Sequence, residues 1–230
     1  MTSHPLDRVI WKALTTSQRG LSEGNALARR YIAAVAPFAA TMDDSAPSML
    51  ALNDLVPPGD RIALTTTSAV EAPPGLIVAM RDTVDQMILD SDIPSRSSVA
   101  SVTLNKDDVP AMLALTDVTH PGPFGPRTIE MGRYLGIKAS GDLVAMAGER
   151  MRPDGFTEVS AVCVAPSHRG QGLAAELVQA VTQGIIDRGE VPFLHVFASN
   201  TPAITLYQKL GFSRRRQFEL TVLTRPPGSG

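Results

Sequence analysis

Two glycines and an arginine follow directly on an apolar strand in the run Val162-Cys163-Val164-Ala165-Pro166-Ser167-His168-Arg169-Gly170-Gln171-Gly172-Leu173-Ala174. Leu173, Leu177, Val181 and Ile185 then recur as one face of a helix that opens at the turn. A strand, a glycine turn and a helix start gather backbone N–H groups at one spot, and the helix dipole adds partial positive charge there. Glycine lets a ligand approach the main chain closely. The chemistry this favours is the holding of a pyrophosphate or similar anion by Arg169, Gly170, Gln171, Gly172, Leu173 and Ala174. The same letters fit the G-x-G-x-x-A dinucleotide fingerprint, with Glu190 as its acid. In a dinucleotide fold that acid ends the second strand, whereas Glu190 precedes the strand Val191 to Ala198, and too little chain follows for a doubly wound sheet.

A second stretch, Leu194 to Phe212, reads as strand, cap, helix and stop. Asn200 or Thr201 caps the helix and Pro202 sits in its first turn. Taken together the two stretches resemble the GNAT superfamily of acyl-coenzyme A N-acetyltransferases. The family's glycine loop, Arg/Gln-x-x-Gly-x-Gly/Ala, is met by Arg169, Gly172 and Ala174. Its second motif, Asn-x-x-Ala-x-x-Leu-Tyr-x-Lys-Leu-Gly-Phe, is met at every named position from Asn200 to Phe212. The resemblance covers roughly Val99 to Thr224.

The resemblance implies an N-acetyltransferase that moves an acetyl group from acetyl-coenzyme A to a primary amine by direct attack in a ternary complex, with no metal. A coenzyme A sensor or inert scaffold that kept the loop is the other reading. By resemblance, the backbone around Val162, Cys163 and Val164 pairs with the pantetheine arm, Asn200 hydrogen-bonds it or serves only as the helix cap, and Glu158 matches an acid common in the family that takes the amine proton, with a strand-edge glutamate in water as the equal alternative. Tyr207 is expected to hand a proton to the departing thiolate, because a phenol near pKa 10 lies close to an alkyl thiol. Alternation along Thr157 to Ala165 puts Glu158, Ser160, Val162 and Val164 on one face and Val159, Ala161 and Cys163 on the other. Cys163 therefore reads as a small core residue rather than a covalent nucleophile. His168 reads as a loop residue beside the anion. Arg214-Arg215-Arg216 reads as a solvated strand edge or as a contact to the adenosine phosphate. Phe124, the apolar tip of Thr119 to Pro126, is placed at the acceptor site, with a tight turn that tucks it into the core as the equal alternative.

The elements that must position these residues fall in the order of the GNAT fold, and the resemblance implies a mixed α/β sheet with helices on both faces for residues 97–227. They are a strand at Val99 to Leu104, a helix at Asp108 to Val118, a hairpin of Gly132 to Ile137 with Leu143 to Arg150, and a strand at Thr157 to Ala165. The glycine-turn helix, the strand Val191 to Ala198, the capped helix and a terminal strand near Gln217 to Leu223 complete it. Residues 1–96 form an additional α/β segment, with helices near Leu6 to Thr15 and Met49 to Leu55 and strands near Ile62 to Thr67 and Leu76 to Met80. It reads either as a degenerate half of the same fold or as a cap on the substrate side. The boundary is set by the Pro/Ser-rich run Ser91 to Ser98.

Composition narrows the partners. A net charge of −2 gives no reason to expect nucleic acid or an anionic membrane surface. The longest apolar run, Tyr31 to Ala40, is broken by Pro37 and too short to span a bilayer. Met1 to Trp11 lacks the apolar core of a signal peptide. The single cysteine excludes an internal disulfide and suits the cytoplasm. The resemblance implies a small-molecule or peptide amine as acceptor, and a homodimer is compatible with the sequence.

Overall fold

The computed structural model describes residues 4–91 and 101–227. The first half opens on helix α1 (Val9–Thr15) and a small antiparallel sheet of β1 (Ser22–Gly24), β2 (Ala28–Tyr31) and β3 (Ala39–Thr41), three short strands that sequence periodicity did not announce. Helix α2 (Ala46–Asp54), capped by Ser45, leads to β4 (Arg61–Thr66) and β5 (Ile77–Leu89). The second half runs through β6 (Val102–Thr103), α3 (Val109–Thr119), β7 (Tyr134–Ala139), β8 (Asp142–Glu149) and β9 (Phe156–Val164). It ends with α4 (Leu173–Ile186), β10 (Val191–Phe197), α5 (Thr201–Lys209) and β11 (Phe212–Thr224). The β7–β8 turn uses Ser140 and Gly141 at φ 52° and 95°, the left-handed pair a two-residue hairpin needs.

Eight strands form one mixed sheet in the order β4-β11-β5-β10-β9-β8-β7-β6. The expected boundary at Ser91 to Ser98 lies largely outside the described residues. The strands on either side of it share this sheet: β5, from the first half, is inserted between β10 and β11 and is antiparallel to both. It runs far past the expected Leu76 to Met80. Its Arg81, Asp82, Asp85 and Gln86 hide it from an apolar pattern, yet Asp85 and Gln86 are buried because their partners wait in other strands. Strand β11 is longer than expected for a related reason. It pairs with β5 along its length, from Phe212 to Thr224, and with β4 from Glu219 to Thr224.

The two faces of the sheet are covered differently. Helix α4 buries Leu177, Val178, Val181 and Ile185 against β7 to β10, and Tyr207 and Leu210 from the α5 segment join that layer. The opposite face carries α1, Tyr31, Val35 and Phe38 packed on Ala63, Val84, Phe193 and Leu220, while α3 covers its far end with Met112 and Leu115.

Candidate active site

The sheet opens where its one parallel pair lies. Strands β9 and β10 pair only at Phe156 to Glu158 with Val191 to Phe193. Beyond that point β10 turns its partners to β5, while β9 continues to Val164 bonded to β8 alone. The β9 edge facing the gap is therefore free. The Ala165 N–H donates to the Val144 carbonyl at 2.8 Å. By strand alternation the amide groups of Val162 and Val164 point the other way, into the gap. An extended arm carrying amides can pair there as an added strand.

Ala161 breaks the expected alternation. It has φ 52°, and the register slips so that Cys163 faces Met146 while Ser160 faces Gly148. Two residues of β9 thus oppose one of β8, a β-bulge. Val159, Val162 and Val164 consequently pack toward α4, and Ala161 and Cys163 toward α3. Glu158 and Val162 do not share a face, contrary to the two-residue period of the sequence. Cys163 is buried, and burial pushes its thiol up to about 11, the setting of an inert core cysteine.

At the end of β9 the turn carries Gly170 at φ 79° and Gly172 at φ 80°, and a side chain at Gly172 would meet open space. Gly172 is the N-cap of α4, and the first helical bond runs from Glu176 N–H to its carbonyl at 3.2 Å. The amides of Leu173, Ala174 and Ala175 have no intrahelical acceptor. Arg169 is exposed and its Nε donates to the Val164 carbonyl at 3.4 Å, which sets the guanidinium beside the open edge. His168 stands in the exposed loop against Ser167. Gly170, Gln171 and Gly172 are exposed as an anion site requires.

A cavity of about 280 Å³ lies in the gap. Val162, Asn200, Ala203 and Tyr207 line one end of it. Asn200 caps α5, its side chain accepting the Ala203 N–H at 3.2 Å. The Tyr207 ring packs edge-on to Phe212, and its hydroxyl has no hydrogen-bond partner among the described residues. Burial pushes its phenol up to about 12, so it is protonated at neutral pH. Phe38, Ala63, Val84, Leu220 and Arg150 line the other end.

Glu158 is not the free base that its sequence position suggested. Its carboxylate is fully buried and accepts two bonds from Arg150, at 2.8 and 2.6 Å, one from the Met151 N–H at 3.2 Å and one from His195 Nδ1 at 2.7 Å. Burial alone would raise its pKa, but the Arg150 guanidinium and His195 outweigh it and hold the carboxyl well below the usual range. Of the two readings of Phe124, its placement is that of the packed one. The neighbouring His120, Pro121, Gly122 and Pro123 line the cavity, whereas Phe124 packs edge-on against Tyr134 at 5.7 Å in the α3 layer.

Arg150, His195 and Gln86 were not picked out from the sequence. They form a chain that runs from Arg150 through Glu158, His195, Gln86 and Arg215 to Asp7. The Gln86 carbonyl oxygen accepts from Arg215 Nε at 2.5 Å, so its amide nitrogen faces the Leu6 carbonyl and His195 Nε2, each at 3.0 Å. His195 Nε2 is then an acceptor, and its ring proton sits on Nδ1, donated to Glu158. Arg215 continues to Asp7 at 2.6 Å, where Arg216 joins at 3.0 Å, and Arg214 lies 3.7 Å from Asp85. The arginine run therefore fastens the amino terminus to the sheet; it is not a merely solvated edge. The available signal was a glutamate and a histidine in the middle of apolar strands, each needing a buried partner.

A mixed sheet parted at one parallel pair, with a glycine turn ending one strand and a helix opening on it, is the architecture of the acyltransferases whose motifs the chain carries. Residues 134–220 match the FR47-like protein family. A GNAT-family protein from Novosphingobium aromaticivorans, solved by crystallography, is 42% identical with a TM-score of 0.91, covering 97% of this chain and 99% of that one. The [ribosomal protein bS18]-alanine N-acetyltransferase of Salmonella typhimurium is 31% identical over 116 residues, 48% of this chain and 78% of that protein. The mycothiol acetyltransferase of Thermomonospora curvata is 39% identical over 84 residues, 36% of this chain and 28% of that protein. The chain belongs to the GNAT family of acetyltransferases. Its match spans only about a quarter of the length of that mycothiol acetyltransferase.

Proposed function

We propose that this chain transfers an acetyl group from acetyl-coenzyme A to a primary amine, by direct attack while both substrates are bound. The observation that carries the reading is the gap between β9 and β10, into which the Val162 and Val164 amides and the Tyr207 side chain all turn. The Val162–Val164 edge would hold the pantetheine arm and the Arg169–Ala174 turn its pyrophosphate, with Asn200 within reach of the arm. A backbone N–H beside the bulge would stabilise the oxyanion. Tyr207, protonated and without a competing partner, would give its proton to the leaving thiolate. Glu158 acts one step removed, holding Arg150 and His195 in place. No metal is needed for these steps. We place the first half, residues 1–96, as the roof of the acceptor side, since Phe38, Ala63 and Val84 come from it.

The acceptor is not inherited from the relatives, whose names point to a ribosomal-protein alanine in one case and to mycothiol in another. A small-molecule or peptide amine fits this chain. The single, buried cysteine suits a reducing compartment, and we place the protein in the cytoplasm; among the described residues no helix is long and apolar enough to cross a membrane. The test is thiol release from acetyl-coenzyme A against a panel of amines, with products read by mass. An acetylated amine is the expected result. Binding of acetyl-coenzyme A without turnover on any amine would leave a sensor instead.

A further inference from the structure

We infer that the acceptor is a monoamine on an apolar body, which reaches the thioester uncharged; polycations are excluded. This rests on the acetyl-transfer reading and names its substrate class. The cavity passes through the sheet, since Val162 and Tyr207 belong to the α4 layer while Phe38, Val84 and Leu220 belong to the opposite layer. With the donor on the first side, the acceptor enters from the second. That wall is mostly aliphatic and aromatic, with Thr65 among its few polar groups and Met80 at its exposed rim. No aspartate or glutamate is among the described residues lining the cavity. Among the described lining residues the permanent charge is Arg150, beside the imidazoles of His120 and His195; its Nε and Nη2 are already given to Glu158 and its guanidinium lies 4.7 Å from the Phe38 ring centre. Of the acids beside the lining, Asp85, Glu149 and Glu158 are tied to Gln217, Arg188 and the Arg150–His195 pair, and Asp82, on the β5 face of Met80 and Val84, has its carboxylate accepting the Thr83 N–H at 2.7 Å; none is part of the lining. An ammonium entering here loses its water and meets no counter-charge, which is far costlier than burying the neutral amine. An apolar body gains from the same wall. The amine arrives neutral, and the proton its nitrogen sheds after attack replaces the one Tyr207 gives to the thiolate, so no carboxylate is needed, in keeping with Glu158 being locked away.

The experiment compares kcat/KM for benzylamine and phenethylamine with that for spermidine and lysine, at one pH, by thiol release. The apolar monoamines should lead by at least about tenfold. Thr65→Asp, which puts a carboxylate on the cavity wall, should cut or reverse that ratio by about tenfold or more. Equal or better efficiency on spermidine or lysine in the wild-type protein overturns the inference and leaves acetyl transfer standing. Absence of acetyl-coenzyme A binding, measured by calorimetry, removes both readings. A heat of binding for benzylamine but not spermidine, in the presence of coenzyme A, supports the inference without reliance on turnover.

Discussion

The two ends of the cavity are made of different material. The end proposed for the donor is largely backbone: the free edge at Val162–Val164, the amides at the start of α4, and glycines with positive φ. The end proposed for the acceptor is largely side chains, brought together from β4, β5, β11, the loop before β3 and Arg150 at the end of β8. A main-chain site can be specified within a short run, because glycines and a cap at fixed offsets dictate its shape. A side-chain wall has no such local signature.

The largest contrast is expected at the proposed proton donor. Tyr207→Phe keeps the ring and removes the hydroxyl, and kcat should fall by about 10²–10⁴-fold with donor KM little changed. An unchanged kcat, where chemistry is rate-limiting, would make Tyr207 a packing residue. Because burial raises this phenol to about 12, the kcat/KM profile should show no descending limb from Tyr207 at pH 10, where an ordinary tyrosine would lose its proton.

Glu158→Gln strikes the wall that joins the two ends. It leaves Arg150 buried without its counter-charge, and a loss of about 3–5 kcal/mol in urea unfolding is expected. The pH dependence has a definite sign. Glu158 has a folded pKa below its ordinary 4.5, so its contribution is complete above that value and fades as the pH falls below it. The variant should therefore lose less stability than the wild type on acidification, and identical acid profiles would show that the pair is energetically silent.

Gly172→Val tests the backbone-built end. At φ 80° a β-branched residue is strained and would point into the turn's open side. Wild type should gain about 2.7 kcal/mol from acetyl-coenzyme A at a hundred times its Kd, and the variant should gain almost nothing. A folded variant that shifts like the wild type would move the pyrophosphate elsewhere. Phe124→Ala should give the smallest effect, a lower Tm worth about 1–3 kcal/mol with amine KM unchanged, since the ring packs on Tyr134. A raised amine KM at unchanged Tm would return Phe124 to the acceptor site.

The second half of the chain was legible because its site is local. The Gly172 start of α4, the Asn200 cap, and the burial of Leu177, Val181 and Ile185 all follow from offsets within a few residues. The bulge at Ala161 was not legible, because no glycine or proline marks it and its left-handed φ is imposed by pairing with β8. That single residue moved Glu158 to the other face from Val162.

By itself the sequence determined the helix starts, the glycine turn, the capped α5 motif and the family they define, each fixed by short-range sterics and hydrogen bonding. Only the tertiary structure decided that β5 enters the sheet between β10 and β11, that Gln86 sets the His195 proton and that Glu158 is bound to Arg150. Those outcomes depend on buried polar groups finding partners far away along the chain. Such pairings leave no periodic trace in the sequence, because the free energy that selects them exists only once water has been excluded.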